Sequence, residues 1–178
     1  KTGYCPTKGI TPLREALAED INSARGTSYT MENVAIQPGG KPTIGKFILA
    51  LMEPGDEVLY PNPGYPIYES QIQFNGGRPV PYSFIEGENK FHPDIVSIKR
   101  KITPKTKAIM PVHFGGLPCK MDQINLLAKK YKLKIIEDAA HAIGARYQNR
   151  MIGNSDNFVC FSFYPNKNVT AGEGGISA

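Results

Sequence analysis

No apolar run in this 178-residue sequence approaches the ~20 residues that span a membrane. The opening stretch, Lys1-Thr2-Gly3-Tyr4-Cys5-Pro6, leads into no apolar segment, so no signal peptide is expected there. Cysteine is scarce. Cys5, Cys119 and Cys160 are odd in number and widely spaced, which suits a reducing cytoplasm better than a disulfide framework. No G-x-S-x-G is present, so a serine hydrolase has no anchor. No zinc-finger or RNA-binding signature occurs. Internal repeats, low-complexity tracts and linkers are also lacking.

What remains is ordinary globular composition, 40% hydrophobic and 21% charged, enough for one sizeable core. The net charge of +5 collects in Lys99-Arg100-Lys101 to Lys107 and in Lys129, Lys130, Lys132 and Lys134. Both clusters fall where helices should end, and cations there complement the helix dipole. A solvated face explains them better than a nucleic-acid site.

Short β-rich runs alternate with helical patterns. Thr11-Pro12 opens a helix, with Thr11 as N-cap and Leu13, Leu17, Ile21 and Ala24 on one face. Asn33 to Gln37 reads as a strand, closed by Pro38-Gly39-Gly40. Helices are expected from about Thr43 to Met52, Ile67 to Phe74, Pro93 to Lys101 and around Ile124 to Tyr131. Strands are expected at Val58–Tyr60, Ala108–Val112, Leu133–Asp138 and Phe158–Phe163. Pro79 to Phe84 reads as an edge strand, because its prolines cannot donate to a ladder. Gly174 to Ala178 reads as the start of a last strand. With no closing helix or polar tail after it, the chain is expected to be part of a longer protein. The alternation predicts an α/β fold with a mostly parallel sheet covered by helices on both faces, and ligands outside the carboxyl ends of its strands.

The polar residues gather at those strand ends. Gly39-Gly40-Lys41 precedes a helix and is either a plain tight turn or a place where backbone amides approach a phosphate. Gly40, Gly45 and Lys46 nearly spell G-x-x-x-x-G-K, but Phe47 stands where a Ser or Thr must ligate Mg²⁺. Asp138 ends a buried strand, followed by Ala139-Ala140-His141. It is either an N-cap or a carboxylate for a cationic ring nitrogen. A metal cluster of His113, Cys119, Glu137, Asp138 and His141 matches no standard spacing. Lys167 follows an aromatic strand amid Ser162, Asn166, Asn168 and Thr170. Gly172, Gly174 and Gly175 beyond it imply close backbone approach or unusual dihedrals. Most lysines are simply solvated, but one in such a setting can serve as a nucleophilic amine. Tyr65, in Asn62-Pro63-Gly64-Tyr65-Pro66, is either packing or a platform for a flat ring.

Together these residues resemble fold-type I enzymes of pyridoxal 5′-phosphate (PLP). The stretches Thr106 to His113, Ile136-Glu137-Asp138-Ala139-Ala140-His141-Ala142-Ile143-Gly144-Ala145, Phe161 to Asn168 and Thr170-Ala171-Gly172-Glu173-Gly174-Gly175 resemble the DegT/DnrJ/EryC1/StrS sugar aminotransferases. The stretches Gly9-Ile10 to Ala16, Gln37 to Pro42, Glu53 to Val58 and Asn62 to Ser70 resemble class I/II amino-acid aminotransferases instead. The change comes near Phe91 to Ile102. The class I/II pattern has Asn-Pro-x-x-Pro-Thr-Gly where His113-Phe114-Gly115-Gly116 stands, and Asp-x-x-Tyr where Asp138-Ala139-Ala140-His141 stands. A natural mosaic and a fusion would both produce this arrangement.

The resemblance implies the PLP-dependent transferase large domain, with about seven strands, over 1–178, and with most of the small domain lying elsewhere. It implies PLP held by Lys167 as a Schiff base, Asp138 on the pyridine nitrogen, His141 against the ring and Tyr65 stacked on it. Gly39, Gly40, Lys41 and Ser162 would hold the phosphate. The catalytic residues implied are Lys167, Asp138 and His141, without a metal. The implied partners are a small-molecule amino donor, most simply glutamate, and a keto acceptor, a nucleotide-linked keto-sugar or a keto acid. A homodimer in the cytoplasm, with no nucleic acid or membrane partner, completes the expectation. A catalytically inactive module of the same fold is the contrasting possibility.

Overall fold

The computed structural model describes residues 3–87 and 90–177. Helix α1 (Thr11–Arg25) is followed by α2 (Gly40–Leu51), β1 (Glu57–Pro61), α3 (Ile67–Phe74), β2 (Arg78–Tyr82), β3 (Phe84–Gly87), β4 (Lys90–Pro93), α4 (Ile95–Lys101) and β5 (Thr106–Ile109). Then come α5 (Met121–Tyr131), β6 (Lys134–Asp138), β7 (Arg146–Tyr147), β8 (Arg150–Met151), β9 (Phe158–Ser162) and β10 (Gly175–Ser177).

The main sheet has six strands among the described residues, in the order β10-β9-β6-β5-β1-β2. The pairs β1–β2, β1–β5, β5–β6 and β6–β9 are parallel, and β10 runs antiparallel beside β9. This is the mostly parallel, mixed sheet that strand–helix alternation predicts. β2, with Pro79 and Pro81, lies at the edge as its missing donors require. The hairpins β3–β4 and β7–β8 stand apart from the main sheet. The first of them carries no turn signal strong enough to predict it.

One expected strand is missing, which leaves the sheet one short of about seven. Asn33 to Gln37 forms the end of a 3₁₀ turn, Met31–Asn33, and a single bridge from Gln37 to Gly175. Its polar groups go elsewhere: the buried Arg14 guanidinium donates to Val34 O at 2.9 Å and to Met31 O at 2.5 Å, and Ile36 N–H donates to Lys8 O at 2.9 Å. Arg14 also rotates the expected face of α1. Arg14, Ala18 and Ile21 are buried, whereas Leu13 and Ala24 are exposed. Helix α1 has Ile10 as N-cap without a side-chain cap, and Thr11 is its first residue.

The other helices follow their signals. Asp94 caps α4 by accepting from Val96 N and Ser97 N at 2.9 and 3.0 Å. Lys99, Arg100 and Lys101 close α4, and Lys129 and Lys130 close α5, where the dipole favours cations. The period-two alternation of β1 sends Val58 and Tyr60 to one face and Leu59 to the other. On the first face Ile44, Ile48 and Met52 of α2 and Tyr68 and Ile72 of α3 pack against Ala108, Ile136 and Cys160. On the second, Ile98, Ile124, Leu127 and Ala128 of α4 and α5 cover Ile109 and Ile135. Ile21 of α1 covers Val159 and Phe161 on that same side. Ile48 and Ile72 are wholly buried, a contribution of about 1.5–3 kcal/mol each before entropy. This packing seats α2 against β6 and β9 and α3 beside it over β1 and β2, next to the strand ends that carry the candidate site.

Candidate active site

Asp138 is the last residue of β6. Strand alternation places it on the face of Ile136, toward α2 and α3, and sends Glu137 to the opposite face. Its carboxylate is 6% exposed and makes no ion pair among the described residues. Two donors hold it. Tyr68 Oη donates to Oδ2 at 2.6 Å, and Ala140 N–H donates to Oδ1 at 2.9 Å. The first is a short hydrogen bond. Burial and then the Asp138 charge push the Tyr68 phenol far above its ordinary pKa, so it keeps its proton and donates.

Three residues on, His141 Nε2 lies 2.9 Å from Lys167 Nζ. An ammonium has only donors, so a protonated Lys167 requires a neutral His141 with its proton on Nδ1. Lys167 sits half-buried in the loop between β9 and β10. The loop is tied by Lys167 N to Tyr164 O at 2.9 Å, Ala171 N to Phe163 O at 3.0 Å and Phe163 N to Gly174 O at 2.8 Å. Thr170 Oγ1 adds a bond to Phe163 O at 3.1 Å.

The Gly39-Gly40-Lys41 turn opens α2. Gly39, at φ +112°, is the N-cap of α2, and no side chain caps that helix. Its first amides are therefore left for an anion. The turn is closely packed. A Cβ on Gly40 would sit 3.1 Å from Ser162 Cβ, which puts Ser162 beside the turn. A Cβ on Gly175 would meet Gly39 C at 2.4 Å. Gly175 N also donates to Gln37 O at 3.2 Å. Lys41 Nζ lies 5.6 Å from the centroid of the Tyr65 ring, whose hydroxyl raises the ammonium pKa. Tyr65 is exposed, 6.0 Å from Tyr68 in an edge-to-face arrangement.

The eight expected residues thus form one connected group. Gly39, Gly40 and Ser162 pack together, Lys41 reaches Tyr65, and Tyr65 touches Tyr68. Tyr68 holds Asp138, and the segment after Asp138 brings His141 to Lys167. The donors suit PLP point by point: open amides and a hydroxyl for a phosphate, a buried carboxylate without a cation for a ring nitrogen, an amine for an aldehyde, and an aromatic face.

Sequence reasoning missed Tyr68. Its signal was its place in the first turn of α3, right after the Tyr65-Pro66 turn, with Tyr68 N–H bonded to Tyr65 O at 3.1 Å. Glu137 and His113 turn away from this group. His113 Nδ1 accepts Cys119 N–H at 3.1 Å, so Nε2 carries the proton and donates to Glu137 Oε2 at 2.8 Å. Glu137 Oε1 accepts from Asn157 Nδ2 at 2.6 Å and Ser155 Oγ at 3.2 Å. The polar residues that looked like a metal cluster are divided between two faces of the sheet. Among the described residues, no three His, Cys, Asp or Glu side chains are placed to hold a metal ion.

The model of the DegT/DnrJ/EryC1/StrS aminotransferase family matches residues 47–178. The chain belongs to this family. GDP-perosamine synthase of Escherichia coli O157:H7 is 41% identical over 131 residues, 72% of this chain and 35% of that protein. Among solved structures, S. venezuelae DesV superposes with a TM-score of 0.80 at 33% identity, over 95% of this chain and 44% of its own. Alanine aminotransferase from Pyrococcus furiosus gives 0.72 at 30% identity, over 89% of this chain and 42% of its own. The chain spans about a third of the length of the curated relatives it matches. The family match begins beyond the Gly39-Gly40-Lys41 turn, and the class I/II resemblance of the first half is supported by the solved structures. Both branches share this fold, so two sequence patterns produce one continuous sheet.

Proposed function

We propose that this chain is the PLP-binding part of an aminotransferase that moves an amino group from glutamate to a nucleotide-linked keto-sugar. The observation that carries the reading is the Lys167 amine against His141, at the carboxyl end of the sheet that also presents a buried, cation-free Asp138. The sugar acceptor rests on the relatives: the GDP-perosamine synthase and a UDP-N-acetyl-3-dehydro-alpha-D-glucosamine 3-aminotransferase from Acidithiobacillus ferrooxidans are both named for sugars. The likeness to an alanine aminotransferase favours a keto acid as the second candidate.

When bound, PLP supplies the electron sink for charge developing at the donor Cα. The chain's residues do the rest. The amides of Gly40 and Lys41, the Lys41 ammonium and Ser162 Oγ hold the phosphate, with the α2 dipole behind them. Tyr65 covers one face of the ring. Asp138 would face the ring nitrogen, where a carboxylate favours the protonated ring. Lys167 would hold the cofactor through its amine and, once displaced by the donor, would serve as the base that takes the proton at the donor Cα. His141 Nε2, by accepting from Nζ, orients that amine between transfers.

The family resemblance also supports a homodimer acting in the cytoplasm on small molecules, with no nucleic acid or membrane partner. Among the described residues no helix is long and apolar enough to cross a membrane. The deciding experiment is an absorbance spectrum of the full-length protein with PLP. Glutamate is added next, and then a panel of nucleotide keto-sugars and keto acids. Bleaching of the visible band by glutamate and its return with a keto-sugar are expected. Return with keto acids alone would replace the acceptor. Absence of any half-reaction would leave a non-catalytic module. Sedimentation of the same protein tests the dimer.

A further inference from the structure

We infer that Tyr68 is a positioning residue: its hydroxyl locks the Asp138 carboxylate in one orientation for the ring nitrogen of the cofactor. The inference deepens the proposed function and rests on the role given there to Asp138.

Three features separate this bond from incidental core packing. First, Tyr68 is 1% exposed, and its oxygen lies 2.6 Å from Oδ2, at the short end of hydroxyl–carboxylate distances. A buried phenol must find a partner, but any backbone carbonyl would serve. Tyr82, also 1% exposed, does so, donating to Met110 O at 2.8 Å, and the buried Tyr60 reaches Glu69 only at 3.2 Å. Tyr68 donates instead to the carboxylate at the strand end.

Second, that carboxylate has no cation among the described residues, and burying an unpaired charge is costly. The two donors from Tyr68 and Ala140 act on different oxygens. Together they fix the plane of the group. An ionised carboxylate has about four acceptor positions, so two donors leave others for a protonated ring nitrogen.

Third, the two halves of the site meet here. Tyr68 comes from the stretch resembling class I/II enzymes, and Asp138 from the stretch resembling sugar aminotransferases. They are 70 positions apart in sequence. Tyr65, just before α3, and Tyr68, in its first turn, are joined by Tyr68 N–H to Tyr65 O at 3.1 Å and divide the work: Tyr65 sets its ring edge-to-face with Tyr68, and Tyr68 gives its hydroxyl to Asp138.

The test uses the full-length protein with Tyr68→Phe, which keeps the ring in the core and removes one oxygen. The protein is loaded with PLP labelled with ¹⁵N in the ring, and the nitrogen shift is followed against pH. The expected result is a ring nitrogen that loses its proton at lower pH than in wild type. Turnover should fall about 10- to 100-fold with KM for glutamate nearly unchanged, the scale of one charge-assisted bond. In an Asp138→Asn background the same substitution should add little, because the two residues act through one bond. A wild-type nitrogen titration in Tyr68→Phe, or full additivity with Asp138→Asn, overturns the inference. If Asp138→Asn itself leaves the nitrogen shift and turnover untouched, the role of Asp138 falls first and this inference with it. Should Tyr68→Phe not fold, 3-fluorotyrosine at position 68 keeps the donor and the packing. It should preserve the wild-type nitrogen state, and a lost ring proton in that protein would count against the bond.

Discussion

Lys167 Nζ and His141 Nε2 stand 2.9 Å apart, although 26 positions separate them in sequence. The contact joins the loop after β9 to the loop after β6, and parallel pairing of those strands brings both loops to one edge. A surface lysine would have no reason to sit there.

Lys167→Ala should abolish the visible absorbance of the PLP-loaded full-length protein and the cofactor trapped by borohydride. Turnover should fall by at least ~10²–10⁴-fold, the range of a positioned acid–base group. An unchanged spectrum, with reducible cofactor on another lysine, would move the site.

Asp138→Asn keeps the shape and the Ala140 contact but removes the charge. Turnover should fall far more than PLP affinity, since the phosphate turn does not involve this residue. The measurements are kcat in the half-reaction with glutamate and PLP dissociation by fluorescence. Equal, modest losses in both would reduce Asp138 to a structural cap.

Gly175→Ala tests the phosphate turn from behind. A methyl group there would meet Gly39 C at 2.4 Å, with backbone on both sides of the contact. Overpacking of this kind costs about 1–3 kcal/mol, so PLP affinity should weaken about 5- to 150-fold. Equilibrium titration of the apoprotein with PLP gives the number. Unaltered affinity would mean that the turn moves freely.

The cysteines report burial. Cys5 is exposed, and Cys119 and Cys160 are buried. Burial, with Glu137 nearby, pushes the Cys119 thiol up to about 12, and Cys160 is raised well above its ordinary value for the same first reason. At pH 8 the native protein should react rapidly with a thiol reagent at Cys5 alone, and at all three after denaturation. The sign of the pH effect follows. Below the unfolded pKa near 9 the neutral thiols contribute fully. As pH rises from there toward 12, only the unfolded chain ionises, so stability falls. Urea melts across that window should show the loss, and Cys119→Ser should shrink it.

Much of the site was legible because its residues sit at strand ends, where periodicity gives way to glycine and polar residues. Gly39-Gly40-Lys41, Asp138 and Lys167 are each marked this way. Tyr68 was not, since a tyrosine inside an apolar helix reads as core. Its hydroxyl acquires meaning only from Asp138, which no local pattern connects to it. The helix face of α1 and the strand expected at Asn33 to Gln37 failed for a related reason. Arg14 reads as a surface charge until its guanidinium is seen capturing Met31 O and Val34 O.

The sequence by itself determined most of the element types, the α/β class and the polar residues at the strand ends, because hydrophobic period, turn residues and caps act over a few neighbours. Only the tertiary structure decided which polar groups face one another. Sheet order and strand alternation put Asp138 toward Tyr68 and Glu137 toward His113, though the two acids are adjacent in the chain. That division is a long-range consequence of burying both faces of one sheet, and a linear pattern does not record it.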